Sequence, residues 1–109
     1  MDAREASQLV LDWHDRQLTL DERRRVDLGT APDADLTVTA AGASRSHAHI
    51  EHRKQYFVLV DHSTNGTYVQ TEDEKVTFLR RGELRLWGDG WIALGEPLSQ
   101  EAAIRFRHL

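Results

Sequence analysis

The sequence predicts an all-β fold, an antiparallel β-sandwich of about eleven strands in two sheets. Three observations predict it. Apolar residues recur mostly at every second position rather than every third or fourth. Short apolar runs are separated at regular intervals by Gly, Pro, Asp and Asn, as in sandwiches. No stretch carries a helical period for longer than a turn.

Taken in order, Gln8 to Trp13 reads as a first strand. A tight turn at Asp15-Arg16 leads into Gln17 to Asp21, which alternates strictly. Arg24 to Gly29 alternates again, Ala31-Pro32-Asp33-Ala34 is a loop, and Asp35 to Val38 is a short strand. Ala40 to Arg45 forms a first polar loop. His47 to His52 and Tyr56 to Asp61 form a hairpin around Arg53-Lys54-Gln55. A second polar loop follows, then the strand Thr67 to Gln70 and an acidic tip, Thr71 to Glu74. Lys75 to Leu79, Glu83 to Trp87 and Trp91 to Gly95 are further strands, separated at Gly82 and at Gly88-Asp89-Gly90. Ala102 to Phe106 closes the chain.

The 109 residues suit one domain spanning 1–109. Absence of cysteine excludes a disulfide, a thiolate nucleophile and a thiolate zinc site, and fits a reducing, cytoplasmic setting. The formal net charge of -4 argues against a general nucleic-acid binder. No apolar run approaches the roughly 18 residues of a membrane span. Met1 to Ala6 is polar with no apolar run after it, so no signal peptide is expected.

Chemistry is dense only in the two polar loops, Gly42 to Ile50 and Asp61 to Thr67. Loops at one end of a sandwich converge, so these two can meet one ligand. Ser44 offers a hydroxyl and Arg45 a charged planar fork suited to phosphate or carboxylate. Asn65 offers a donor and an acceptor for an extended peptide backbone. Gly66 allows a tight turn after it, and Ser63 and Thr64 can satisfy loop amides.

The order Leu28-Gly29, Asp35-Leu36-x-Val38, Ser44-Arg45-x-His47-Ala48-x-Ile50, Phe57-x-Leu59-x-Asp61, Ser63-Thr64-Asn65-Gly66-Thr67-Tyr68-Val69, Leu79-x-x-Gly82-Glu83 and Ile92-x-Leu94-Gly95 resembles the forkhead-associated (FHA) domain, collinearly from Val26 to Gly95. The resemblance implies a two-sheet sandwich that binds phosphothreonine peptides through loops at one end. By position, Ser44 would bond the phosphate and Arg45 add a charged contact. His47 would brace the loop from behind, Thr64 would line the pocket and Asn65 would hold the peptide main chain. Gly29, Ser63 and Gly66 would support the site. The run Leu79 to Gly95 also resembles FHA domains attached to bacterial class III adenylyl cyclases. The implied role is a non-enzymatic interaction module in Ser/Thr kinase-linked signalling, within a larger signalling protein. It has no cofactor or metal, and its partner is a phosphothreonine-containing protein. The alternative is a phosphate-independent assembly or regulatory domain of a protein such as an adenylyl cyclase.

One position departs from the family. Where an arginine usually follows the glycine of the early strand and contacts the phosphopeptide, this chain has Thr30. A hydroxyl replaces one hydrogen bond but not the charge, so weaker binding is expected, by a factor on the order of 10 to 100.

Other groups read as structure. Ser44, His47 and Asp61 invite a hydrolase triad, but the glycine pattern is not that of a nucleophile elbow. His47, His49, His52 and His62 lack the convergence that a zinc site needs, with His49 and His52 on partly exposed strand faces. Arg23-Arg24-Arg25 and Arg80-Arg81 are expected to be solvated. Trp13, Trp87 and Trp91 are expected in core or edge packing.

Overall fold

The computed structural model describes residues 8–109. The expectation for the segment Met1 to Ala6 lies outside the described residues. Eleven strands form: β1 (Leu9–Trp13), β2 (Arg16–Leu20), β3 (Val26–Gly29), β4 (Leu36–Thr37), β5 (Ala48–Arg53), β6 (Tyr56–Asp61), β7 (Thr67–Thr71), β8 (Val76–Leu79), β9 (Glu83–Arg85), β10 (Gly90–Leu94) and β11 (Ile104–His108). They build a six-stranded sheet, β2-β1-β11-β10-β7-β8, and a five-stranded sheet, β4-β3-β5-β6-β9.

Period-two alternation is what makes this a sandwich. Leu9, Leu11, Val69, Ile92, Ile104 and Phe106 of one sheet, and Val26, Leu28, Ile50 and Leu59 of the other, are buried in one shared core. Between them along the strands, Asp27, Trp91 and Arg105 are exposed, whereas Val10, His49 and Ala93 are buried.

The structure corrects several sequence expectations. β4 pairs with β3 in parallel, Leu28 to Leu36 and Gly29 to Thr37, so the sandwich is not antiparallel throughout. After Gly29 the chain folds back through Ala31 to Asp35, where the Asp35 carboxylate accepts the Asp27 N–H at 2.8 Å and fixes the start of β4 beside β3. The β5–β6 turn holds only Lys54 and Gln55, because Arg53 pairs with Tyr56 and Lys54 takes a left-handed φ of 61°. The first turn falls at His14-Asp15, with His14 left-handed and Trp13 paired to Arg16. The last strand lies two residues later than the alternation suggested. β8 and β9 belong to different sheets, so the segment Arg80–Gly82 crosses from one sheet to the other.

Trp13 packs against the core, but Trp87 is exposed, and the guanidinium of Arg85 lies between the Tyr56 and Trp87 rings at 3.1 and 3.4 Å. His49 is buried rather than partly exposed. Its Nε2 lies 2.7 Å from Glu51 and its Nδ1 3.4 Å from His62. The arginine run does reach solvent, with Arg25 and Arg24 beside Asp27 and Asp35 in exposed pairs of little energetic weight.

The register places Gly29, His47, Asp61 and Glu83 at one end of the five-stranded sheet. Thr67, Leu79 and Leu94 meet at the corresponding end of the other sheet. Both polar loops therefore emerge together.

Candidate functional site

The loop before β5 is laid against the end of β3 by a short backbone ladder. His47 N–H donates to the Leu28 carbonyl (2.9 Å), Thr30 N–H to the Ser44 carbonyl (3.0 Å) and Ala31 N–H to the Arg45 carbonyl (3.2 Å). This approach requires glycine at 29. A Cβ there would overlap the Arg45 carbonyl oxygen. The ladder sets Thr30 beside Ser44 and Arg45, although the sequence separates them by more than a full loop.

The loop after β6 is organised by Asp61. Its buried carboxylate accepts the Ser63 N–H and hydroxyl (each 3.0 Å), the Thr67 hydroxyl (2.5 Å) and the Arg81 N–H (2.9 Å). Burial works to raise its pKa. The Arg81 amide, the Thr67 hydroxyl and the Ser63 amide and hydroxyl outweigh burial and hold it below the ordinary carboxylate value. Ser63 passes the order on, since its Oγ also accepts the Gly66 N–H at 2.8 Å. Gly66 has φ 87°, and the Phe78 ring packs where a Cβ would stand.

His47 joins the two loops. Fully buried, it accepts the Ser44 N–H at Nδ1 (3.0 Å). A backbone N–H can only donate, so Nδ1 is unprotonated and Nε2 carries the proton. Nε2–H is shared between the Gly66 carbonyl (2.8 Å) and the Thr67 hydroxyl oxygen (3.1 Å). Burial lowers the His47 pKa, partly opposed by the Gly66 carbonyl and the Asp61 carboxylate and reinforced by His62. The folded state thus holds His47 neutral. The unfolded chain takes up a proton below about pH 6.5, the ordinary histidine value, and the folded chain does so only at lower pH. Stability is therefore expected to fall as pH drops below about 6.5. Thermal melts from pH 7.5 to 5 should show this, with a shallower decline in His47→Gln. Equal declines in both proteins would contradict the assignment.

The same geometry argues against a triad. The His47 ring nitrogens are engaged by the Ser44 amide and the Gly66 carbonyl, not by the Ser44 hydroxyl. His47 and His49 share no site, because His49 is taken up with Glu51 and His62. Among the described residues no group of three or more His, Asp or Glu could hold a metal ion.

The remaining polar groups of the two loops face solvent. The Thr64 N–H lies 3.5 Å from the Ser44 Oγ, a long contact that leaves both groups able to take a stronger partner. Arg45, Thr64 and Asn65 are exposed, and Ser44 and Thr30 half-buried. Asn65 reaches across to the first loop and donates Nδ2–H to the Gly42 carbonyl (2.9 Å). Gly42 packs on Gly95, each standing where the other's Cβ would be, and Gly95 N–H donates to the Gly66 carbonyl (2.9 Å).

Ser44, Arg45, Thr30, Thr64 and Asn65 are thus brought to one rim, with Gly29, His47, Ser63 and Gly66 beneath. Sequence reasoning missed three things. Asp61 is the hub of the second loop, a role signalled by its place two residues before Ser63. Gly42 and Gly95 interlock, which no local pattern announces. Arg81 is not simply solvated. It takes a left-handed φ of 56° and its Nε–H donates to the Ser63 carbonyl (3.2 Å).

Comparison with known proteins follows the same lines. The model for the FHA domain matches residues 26–85. No curated protein sequence matches the chain. Similar solved structures include the Rv1747 FHA-1 domain of Mycobacterium tuberculosis, 20% identical with a TM-score of 0.74, covering 93% of this chain and 95% of that one. At that identity it shows a shared fold alone. An FHA domain described for phosphothreonine-dependent interactions is 27% identical, with a TM-score of 0.69, over 94% of this chain and 97% of that one. The FhaA FHA domain, complexed with the intracellular domain of Rv3910, is 28% identical, with a TM-score of 0.68, over 91% and 99% of the two chains.

Proposed function

The chain belongs to the FHA domain family, and we propose that it is a non-enzymatic module that binds phosphothreonine peptides in kinase-linked signalling. The observation that carries the reading is the facing pair at the rim. The Ser44 hydroxyl and the Thr64 N–H stand 3.5 Å apart, with Arg45 exposed on the same loop and neutral His47 fixing both loops from behind. A phosphate oxygen between them would accept from two donors and meet a guanidinium. Asn65, one residue on, would hold the peptide main chain through its amide. The phosphothreonine-dependent interactions of the FHA domain 27% identical to this chain support the reading.

The expected affinity is low. Thr30 is hydrogen-bonded through its backbone to the Ser44 carbonyl, so on this reading it would lie next to the phosphate, where its side chain carries no charge. Thr30→Arg should therefore tighten phosphothreonine-peptide binding, by roughly 10- to 100-fold if the new guanidinium reaches the phosphate. The test is to titrate parent and variant with phosphothreonine, phosphoserine and unphosphorylated libraries of the same degenerate flanks. Selective phosphothreonine binding that strengthens in Thr30→Arg supports the proposal. Equal affinity in the two proteins would show that position 30 does not limit binding. Failure of both to prefer phosphorylated peptides would favour a phosphate-independent assembly surface, with Thr30 marking lost phosphate binding.

A further inference from the structure

Of the sheet edges, β8 is the one that carries exposed apolar side chains. β4 has two residues and β9 three, and β2 shows Arg16, Gln17 and Thr19 to solvent. Among the described residues β8 pairs with β7 on one side and with no strand on the other. Val76 and Phe78 are each 50% exposed, and the Phe78 ring lies 4.9 Å from that of Tyr68. Strand alternation puts both on the outer face, while Leu79 turns into the core. An open, apolar edge of this kind is a template for another strand.

The register fixes which backbone groups are open. The Thr71 N–H donates to the Lys75 carbonyl (3.1 Å), and residues opposite one another alternate between bonded and unbonded pairs. Val69–Thr77 and Thr67–Leu79 are therefore bonded pairs, and the N–H and C=O groups of Val76 and Phe78 point away from β7 to the open edge. The sequence around them is complementary to itself. Reversed about Thr77, Val76 falls on Phe78, Glu74 on Arg80 and Asp73 on Arg81. Glu74 and Arg80 are both exposed, and among the described residues neither is held in an ion pair.

We infer that β8 is a self-association edge, where a second copy of this chain adds its own β8 antiparallel about a two-fold axis at Thr77. The two six-stranded sheets then join into one. In this register Val76 faces Phe78 of the second copy and Phe78 faces its Val76. Each pair exchanges two backbone hydrogen bonds, and the β-branched and aromatic side chains pack on one face. Glu74 meets Arg80 of the second copy, and by symmetry this contact occurs at both ends. A slip of two residues either way sets Val76 on Val76 or Phe78 on Phe78 and parts Glu74 from Arg80. The Ser44 rim lies at the Leu79 end of β8, so antiparallel pairing sends the two rims to opposite ends of the joined sheet.

Sedimentation velocity of the full chain at rising concentration tests this, without any phosphopeptide. The expected result is a concentration-dependent shift from monomer to dimer. Val76→Pro removes an N–H that β7 does not use, so it should keep the fold and abolish the dimer. Arg80→Glu puts like charges together at both ends and should weaken association by about threefold to tenfold at low salt. The double variant Glu74→Arg with Arg80→Glu exchanges the charges and should recover the association of the parent. A monomer at every concentration would overturn the inference. So would a dimer unmoved by Val76→Pro, or one that the charge exchange does not restore. A chain that stays monomeric yet binds extended peptides along β8 would also overturn it, and would make the edge a dock for the strand of another protein. Should Val76→Pro fail to fold, the charge exchange decides.

Discussion

Ser44→Ala is expected to lower affinity for phosphothreonine peptides by roughly 10- to 100-fold, and Arg45→Ala by a similar factor. On the proposed reading each removes a hydrogen bond to a doubly charged phosphate, and charged hydrogen bonds contribute about 1.5–3 kcal/mol. The fold should be nearly indifferent to both. Arg45 is exposed, and Ser44 keeps the backbone N–H that bonds His47 whatever its side chain. Substitutions at such positions usually stay within about 0.5 kcal/mol of the parent stability. The two losses should not add, because both groups hold the same phosphate. Fluorescence anisotropy with a labelled phosphothreonine library, beside a denaturant melt of each variant, measures both quantities. Unchanged affinity in a stably folded Ser44→Ala protein would remove Ser44 from the site.

Asp61→Ala is expected to cost about 3–5 kcal/mol of stability. The carboxylate is buried and accepts donors from Ser63, Thr67 and Arg81, so its loss leaves several polar groups in the interior without partners. A domain of this size has roughly 5–15 kcal/mol in all, so the variant should be near the edge of folding. The same bonds hold the Asp61 pKa below its ordinary value. The stabilisation they give is present above that value and is lost as pH falls beneath it, below about pH 4. Urea melts at neutral pH test the size of the effect. A loss under about 1 kcal/mol would mean that water or neighbouring groups replace the carboxylate, and that Asp61 is not the hub of the second loop.

Much of this was legible because period-two alternation is a local signal. Gln17-Leu18-Thr19-Leu20 and Val26-Asp27-Leu28 declare which side chains go inward without knowledge of any partner strand. The two polar loops were legible for a similar reason, as runs of residues that do not suit a strand interior. What was not legible depends on partners distant in sequence. The parallel pairing of β4 follows from Asp35 capturing the Asp27 amide. The division of β8 and β9 between two sheets follows from Asp61 capturing the Arg81 amide. Arg80-Arg81 reads as a solvated charge run until the fold sets it against Ser63. Gly42 and Gly95 are ordinary loop glycines until each is found in the other's place. His49 is buried although its strand position reads as outward, and its ring meets Glu51 on its own strand and His62, thirteen residues on.

The central claim is that the two loops at the Ser44 end form one phosphothreonine site. Backbone amide mapping tests it most directly. ¹⁵N-labelled protein would be titrated with a degenerate phosphothreonine peptide library and, separately, with the unphosphorylated library. The account predicts that only the phosphorylated library shifts amide resonances and that the shifts centre on Thr30, Ser44, Arg45, Thr64 and Asn65. Shifts centred on the Tyr56–Arg85–Trp87 surface at the opposite end, or no difference between the two libraries, would contradict it.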